Sequence, residues 1–110
     1  MSSEGLLLYY ALMLRPSDQK VLIESCIRPI PEVTACKKKV VKKIWAANLN
    51  PNERKKISTK NAGKWLSLSN DENIIGLFCV KADYPERLAY KAITVILGNF
   101  SGLKILVGGL

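Results

Sequence analysis

The residues of this chain that could carry chemistry are few. They are three cysteines (Cys26, Cys36, Cys79), two close acidic pairs (Asp71/Glu72 and Asp83/Glu86) and a crowd of lysines, with no histidine anywhere in 110 residues. Without imidazole there is no Ser–His or Cys–His dyad and no histidine general base. The cysteines are widely spaced, form no CxxC pair and have no histidine to join them, so a zinc ligand set is not assembled. Each lies in apolar sequence, which predicts buried free thiols in a reducing compartment. The phosphate-cradling patterns GxGxxG and GxxxxGK[ST] do not occur. The pair Asp71/Glu72 falls among turn formers, and Asp83/Glu86 sits where a helix would begin. No catalytic residue, metal or cofactor is therefore expected.

The lysines are the stronger signal. Between Pro31 and Lys64 there are ten basic residues against two acidic ones, and that span carries the whole net charge of +8. Lys37, Lys38, Lys39, Lys42, Lys43, Lys55 and Lys56 make up the basic patch. A solvated helix face is its plainest use; contact with anionic membrane or an acidic protein is the functional one. Nucleic acid is the weaker expectation. Lysine rather than arginine dominates, and Trp45 and Trp65 fall on apolar faces instead of on the basic surface where bases would stack.

These residues must be positioned by a small fold. A composition of 48% hydrophobic and 24% charged residues suits one globular domain spanning 1–110. The longest apolar run, Leu6–Leu14, has nine residues, against roughly 20 for a bilayer-spanning helix. The start MSSEG has no basic cluster, so no signal peptide is expected, and the cytoplasm is the expected location. Leu6–Leu14 and Lys20–Arg28 read as a hairpin closed by Pro29 and Pro31. Val33, Cys36, Val40, Ile44 and Ala47 then recur at helical spacing, with Pro31 suited to the first turn and Asn48 ending the helix. Arg54–Thr59, Lys64–Ser69 and Ile74–Ala82 follow as three strands joined by the turns Lys60–Gly63 and Asn70–Asn73.

The first and last strands are apolar on both faces and belong side by side in the sheet centre, with the basic third strand at an edge. A second helix would bury Leu88, Ala92, Val95 and Ile96, with Ala89 and Ile93 beside them, and stop at Gly98 or Gly102. The tail Leu103–Leu110 is ambiguous between strand and helix. The order is β-β-α-β-β-β-α: an α+β, three-layer α/β/α sandwich around a five-stranded antiparallel sheet.

The junction Asp83-Tyr84-Pro85-Glu86-Arg87-Leu88-Ala89-Tyr90 turns strand into helix within three residues. Asp83 and Glu86 have the spacing of a capping box, Pro85 ends the strand, and Arg87 is available to tie the turn to a neighbour. This segment, following FCVKA and preceding KAITVIL, resembles the longin domain, the N-terminal regulatory domain of R-type SNAREs. The likeness is to the prenylated type, in which the last strand runs through an acidic-aromatic-Pro-x-Arg-x-Ala-aromatic segment. Asp83, Tyr84, Pro85, Arg87, Ala89 and Tyr90 stand at those positions, and the preceding meander is similar in strand lengths and turn placement.

The resemblance covers about residues 6–100. It implies a profilin-like fold, no enzymatic activity, and a cytoplasmic regulator or adaptor in vesicle traffic and membrane fusion, peripheral to endomembranes. It also implies a groove between the first helix and the neighbouring edge strand that receives a SNARE segment, another partner or a lipid. Here that maps to Val40, Val41, Ile44, Trp45 and Ile57, beside the basic patch. No SNARE heptad helix and no terminal lipidation cysteine follow, so the chain is expected to be a fragment or a stand-alone longin-type protein. A subunit of a vesicle coat, tethering complex or small-GTPase platform is the alternative role. A basic nucleic-acid-binding module is the second alternative, and the exposed edge strand also allows a homodimer.

Overall fold

The computed structural model describes residues 8–28, 30–59 and 63–108, with backbone alone for Leu8 and 100–108. Leu6, Leu7, Pro29, the turn residues Lys60–Ala62 and the last two tail residues lie outside it. The elements are β1 (Leu8–Arg15), β2 (Lys20–Cys26), α1 (Pro31–Ala47), β3 (Arg54–Ser58), β4 (Lys64–Ser69), β5 (Ile75–Val80) and α2 (Glu86–Gly108). This is the order read from the sequence, and most described boundaries agree to within two residues.

The strands form one sheet in the order β2-β1-β5-β4-β3, antiparallel throughout. The two doubly apolar strands, β1 and β5, are neighbours in the middle. Alternation then divides the core. Tyr10, Leu12, Leu14, Trp65, Ile75, Leu77 and Cys79 meet Val33, Val40 and Ile44 of α1 on one face. Met13, Leu66, Phe78 and Val80 meet Ala89, Tyr90, Ile93 and Leu97 of α2 on the other. Helix, sheet and helix are stacked in that order, an α+β fold.

In α1 the expected punctuation is seen. Pro31 occupies the first turn, Glu32 follows it, and the helix ends at Asn48 in the left-handed conformation with φ of 50°. No side chain caps the start; the chain enters extended at Ile30, whose carbonyl accepts from the amides of Val33 and Thr34. Lacking an amide hydrogen, Pro31 leaves one fewer orphan donor there.

Three expectations are corrected. First, α2 does not stop at Gly98 or Gly102 but continues to Gly108. Neither glycine is among those with positive φ, so neither forms a left-handed stop; an interior glycine costs a helix only about 1 kcal/mol. Second, α2 is rotated relative to the expected face. Leu88, Val95 and Ile96 are 41%, 56% and 37% exposed, whereas Ala89, Tyr90, Ile93 and Leu97 are buried. The helix is apolar on two adjacent stripes, and the sheet chooses between them. Gly76 of β5 offers Ile93 a seat so close that a Cβ there would lie 2.7 Å from its Cγ2. On the opposite flank, Arg54 stacks over the Tyr90 ring at 4.5 Å. Third, only Cys79 is fully buried; Cys36 is half-buried, and Cys26 is exposed because β2 is an edge strand.

The seat at Gly76 yields a prediction. Gly76→Val should push α2 from the sheet and lower stability by roughly 1–3 kcal/mol, the usual range for overpacking, read as a lower urea midpoint. An unchanged midpoint would show that α2 does not pack on β5 in this way.

Candidate functional site

The α1 side chains separate into a buried stripe and a charged one. Val33, Val40 and Ile44 are buried; Lys38, Lys39, Lys42 and Lys43 are exposed. Lys37, half-buried, pairs with Glu24 of β2, and its ammonium lies 5.3 Å from the centre of the Tyr10 ring. The Tyr10 hydroxyl is in turn 2.7 Å from the Thr34 hydroxyl. Among the described residues, Lys38, Lys39, Lys42 and Lys43 have no ion-pair partner. Their attraction is thus available to an outside anion.

Along the β2 side of α1 runs a groove of about 320 Å³. Leu12, Val21, Val41 and Trp45 supply its apolar surface, and Glu24, Lys37, Lys38 and Lys42 its charged rim. The structure therefore divides the five residues expected to line a groove. Val41 and Trp45 do line one. Val40 and Ile44, 2% and 1% exposed, belong to the core. Ile57 lies on β3, at the opposite edge of the sheet, half-buried against the same core. The groove borders β2 and not β3. Trp65, wholly buried and 6.2 Å from Tyr10 between ring centres, fills the space beneath α1 toward β4. At the β2 edge, Val21 and Glu24 leave more room. Sequence reasoning missed β2 as a wall of this groove; the available signal was the mixture of Lys20, Glu24 and Ser25 with apolar residues in β2, which marks it as less buried than the continuous run of β1.

The basic patch divides as well. Lys55 and Lys56 are on β3, and Lys56 turns to α2, where its ammonium is 2.9 Å from the Glu86 carboxylate; Lys64 approaches the same carboxylate at 3.7 Å. The Lys55 carbonyl accepts from the hydroxyls of Ser67 (3.0 Å) and Tyr90 (3.4 Å). These contacts tie β3 to its neighbours, and the accessible lysine cluster is that of α1.

The Asp83–Tyr90 joint is built differently from the expected capping box. The helix begins at Glu86, which leaves Asp83 in the preceding turn, 76% exposed on its side chain and 4.0 Å from Lys81. The Tyr84 amide donates to the Lys81 carbonyl at 2.9 Å, and the Ala89 amide to the Pro85 carbonyl at 3.2 Å. Arg87 is exposed and makes no tie to the turn among the described residues. Glu86 points across to β3 instead of back along its own helix. The hydrogen bond from Lys56, and the charges of Lys56 and Lys64, hold its carboxyl below the ordinary value of 4.5.

The other candidate groups have local uses. Asn70 caps its turn by accepting from the amides of Glu72 (2.9 Å) and Ile74 (3.0 Å), and Asp71 accepts from Asn52 at 3.1 Å. Burial pushes the Cys79 thiol up to about 12, so it is no thiolate at neutral pH. Among the described residues no three His, Cys, Asp or Glu side chains cluster to hold a metal. No helix among them is long and apolar enough to cross a membrane. No protein-family model matches the chain, and neither does any curated protein sequence.

The Glu86 pairing has a pH signature. A depressed folded-state pKa stabilises the fold above the unfolded value of 4.5 and ceases to do so as pH falls through the lowered one. Glu86→Gln should therefore lower Tm at pH 7, and the two proteins should converge in acid. A Tm difference that widens below pH 4.5 would contradict the pairing.

Proposed function

We propose that this chain is a longin-type regulatory or adaptor domain of vesicle traffic, peripheral to endomembranes, which docks a SNARE segment or another trafficking partner along α1. The observation that carries the reading is the surface of that helix. An apolar groove lies on it beside Lys38, Lys39, Lys42 and Lys43, which have no ion-pair partner among the described residues, so burial and charge can act on one ligand. The element order and the residues of the Asp83–Tyr90 joint, on which the likeness to longin domains rests, support the same reading. The groove borders β2, so the docking wall in this proposal is β2, in place of the β3 wall that the resemblance implies.

A nucleic-acid role has less support. Trp65 is wholly buried and Trp45 is turned into the groove, which leaves neither tryptophan standing on the lysine face as a stacking platform. Coat, tether and GTPase-platform roles would use the same non-enzymatic fold.

Binding separates these readings. The protein should bind a SNARE-core peptide or co-sediment with phosphatidylcholine–phosphatidylserine vesicles, and Trp45→Ala or Val41→Asp should weaken the peptide interaction at least fivefold. Both positions are half-buried, so they perturb the core less than a change at Ile44. Failure of both ligands, with duplex DNA bound in a steeply salt-dependent manner, would overturn the proposal.

A further inference from the structure

The two edges of the sheet are unlike. At one edge, β3 reads RKKIS and presents charge, the usual protection of an exposed strand. At the other, β2 reads KVLIESC and is seven residues long. Val21 and Ile23 are 41% and 42% exposed, and Ile27 just beyond the strand is 47% exposed. An edge of this kind is a template for one more strand. The α1 groove opens beside it.

We propose that β2 pairs with an extended acidic segment of a partner protein, whose groove-facing side chains alternate acidic, apolar, acidic. This rests on the docking role proposed above for α1 and names the chemistry of the partner. The charge is dictated by Lys38 and Lys42, which border the groove and have no ion-pair partner among the described residues. Glu24, the acidic group of the groove lining, is already met by Lys37. The apolar position is dictated by Val21, Val41 and Trp45.

The dimensions agree. The groove-lining stretch of α1 runs from Lys37 to Trp45, about 12 Å at 1.5 Å per residue. Three groove-facing residues of a strand, at every second position, span about 13 Å. An extended peptide can satisfy the β2 backbone and fill the groove at once. An acyl chain can fill the groove but offers β2 nothing to pair with. A second copy pairing through β2 would bring the two lysine rows of α1 together, where like charges repel.

The test uses a heptapeptide, acetylated and amidated, with leucine at its fourth position, glutamate at its second and sixth, and threonine elsewhere. Trp45 fluorescence reports occupancy, because Trp65 is buried away from solvent. Saturable binding is expected, weakened at least tenfold by Lys38→Glu combined with Lys42→Glu. Exchanging both peptide glutamates for glutamine should weaken it similarly. Lys55→Glu with Lys56→Glu, on the far edge, should change affinity less than twofold. Equal weakening by the two charge reversals would reduce the effect to net charge and overturn the proposal. So would oleate or anionic vesicles binding where the peptide does not, or concentration-dependent dimers formed through β2 in its place. In those cases a SNARE peptide or vesicle that still bound would leave the proposed function standing.

Discussion

Everything in this fold depends on the pairing of two strands that are apolar on both faces. β1 and β5 cannot lie at an edge or against solvent without exposing a row of large side chains. Placing them side by side concentrates the burial, but it obliges the chain to cover both faces of the sheet. One helix must lie on each side, and the alternation along β5 shows the consequence: Ile75, Leu77 and Cys79 serve the core under α1, while Phe78 and Val80 serve the core under α2. The sheet is the shared wall of two cores, and stability on one face is coupled to the other through it.

That arrangement leaves the edges to do other work, and they have been given different chemistry. β3 is held by the Ser67 and Tyr90 hydroxyls on its Lys55 carbonyl and by Lys56 on Glu86. Its charges discourage pairing. β2 carries apolar residues outward and has α1 lysines overhead. At physiological ionic strength, attraction between exposed charges fades beyond about 8 Å, so under the proposed docking role those lysines would act only on what enters the groove or lies against its rim. Apolar burial in the groove would then supply the retention that screened charge cannot.

Most of the architecture was legible in the sequence because its signals were local and mutually consistent. Helical spacing from Val33 to Ala47, proline at the first turn and asparagine at the last defined α1 within the residue. The clean alternation of Lys64–Ser69 defined β4 and put Trp65 and Leu66 on opposite faces, as found. What was not legible depended on three-dimensional choices. α2 has two adjacent apolar stripes, and the one that packs is the one whose Ile93 fits against Gly76 and whose Tyr90 meets Arg54. The capping box required Asp83 to be the residue before the helix, but the turn at Lys81–Tyr84 delays the helix to Glu86. A groove was expected beside β3; the one that Val41 and Trp45 line is bordered by Val21 and Glu24 of β2, a juxtaposition across the sheet with no pattern in one dimension.

If β1 and β5 are the hub on which both cores rest, native-state hydrogen exchange measures it directly. Amides at the centres of β1 and β5 should exchange only by global unfolding, with a denaturant dependence equal to that of the whole protein. Those of β2 and β3 should open locally, with lower free energies. Should the edge strands prove as protected as β5, or should β1 and β5 exchange through separate local openings, the central pair would not be what holds the two layers together.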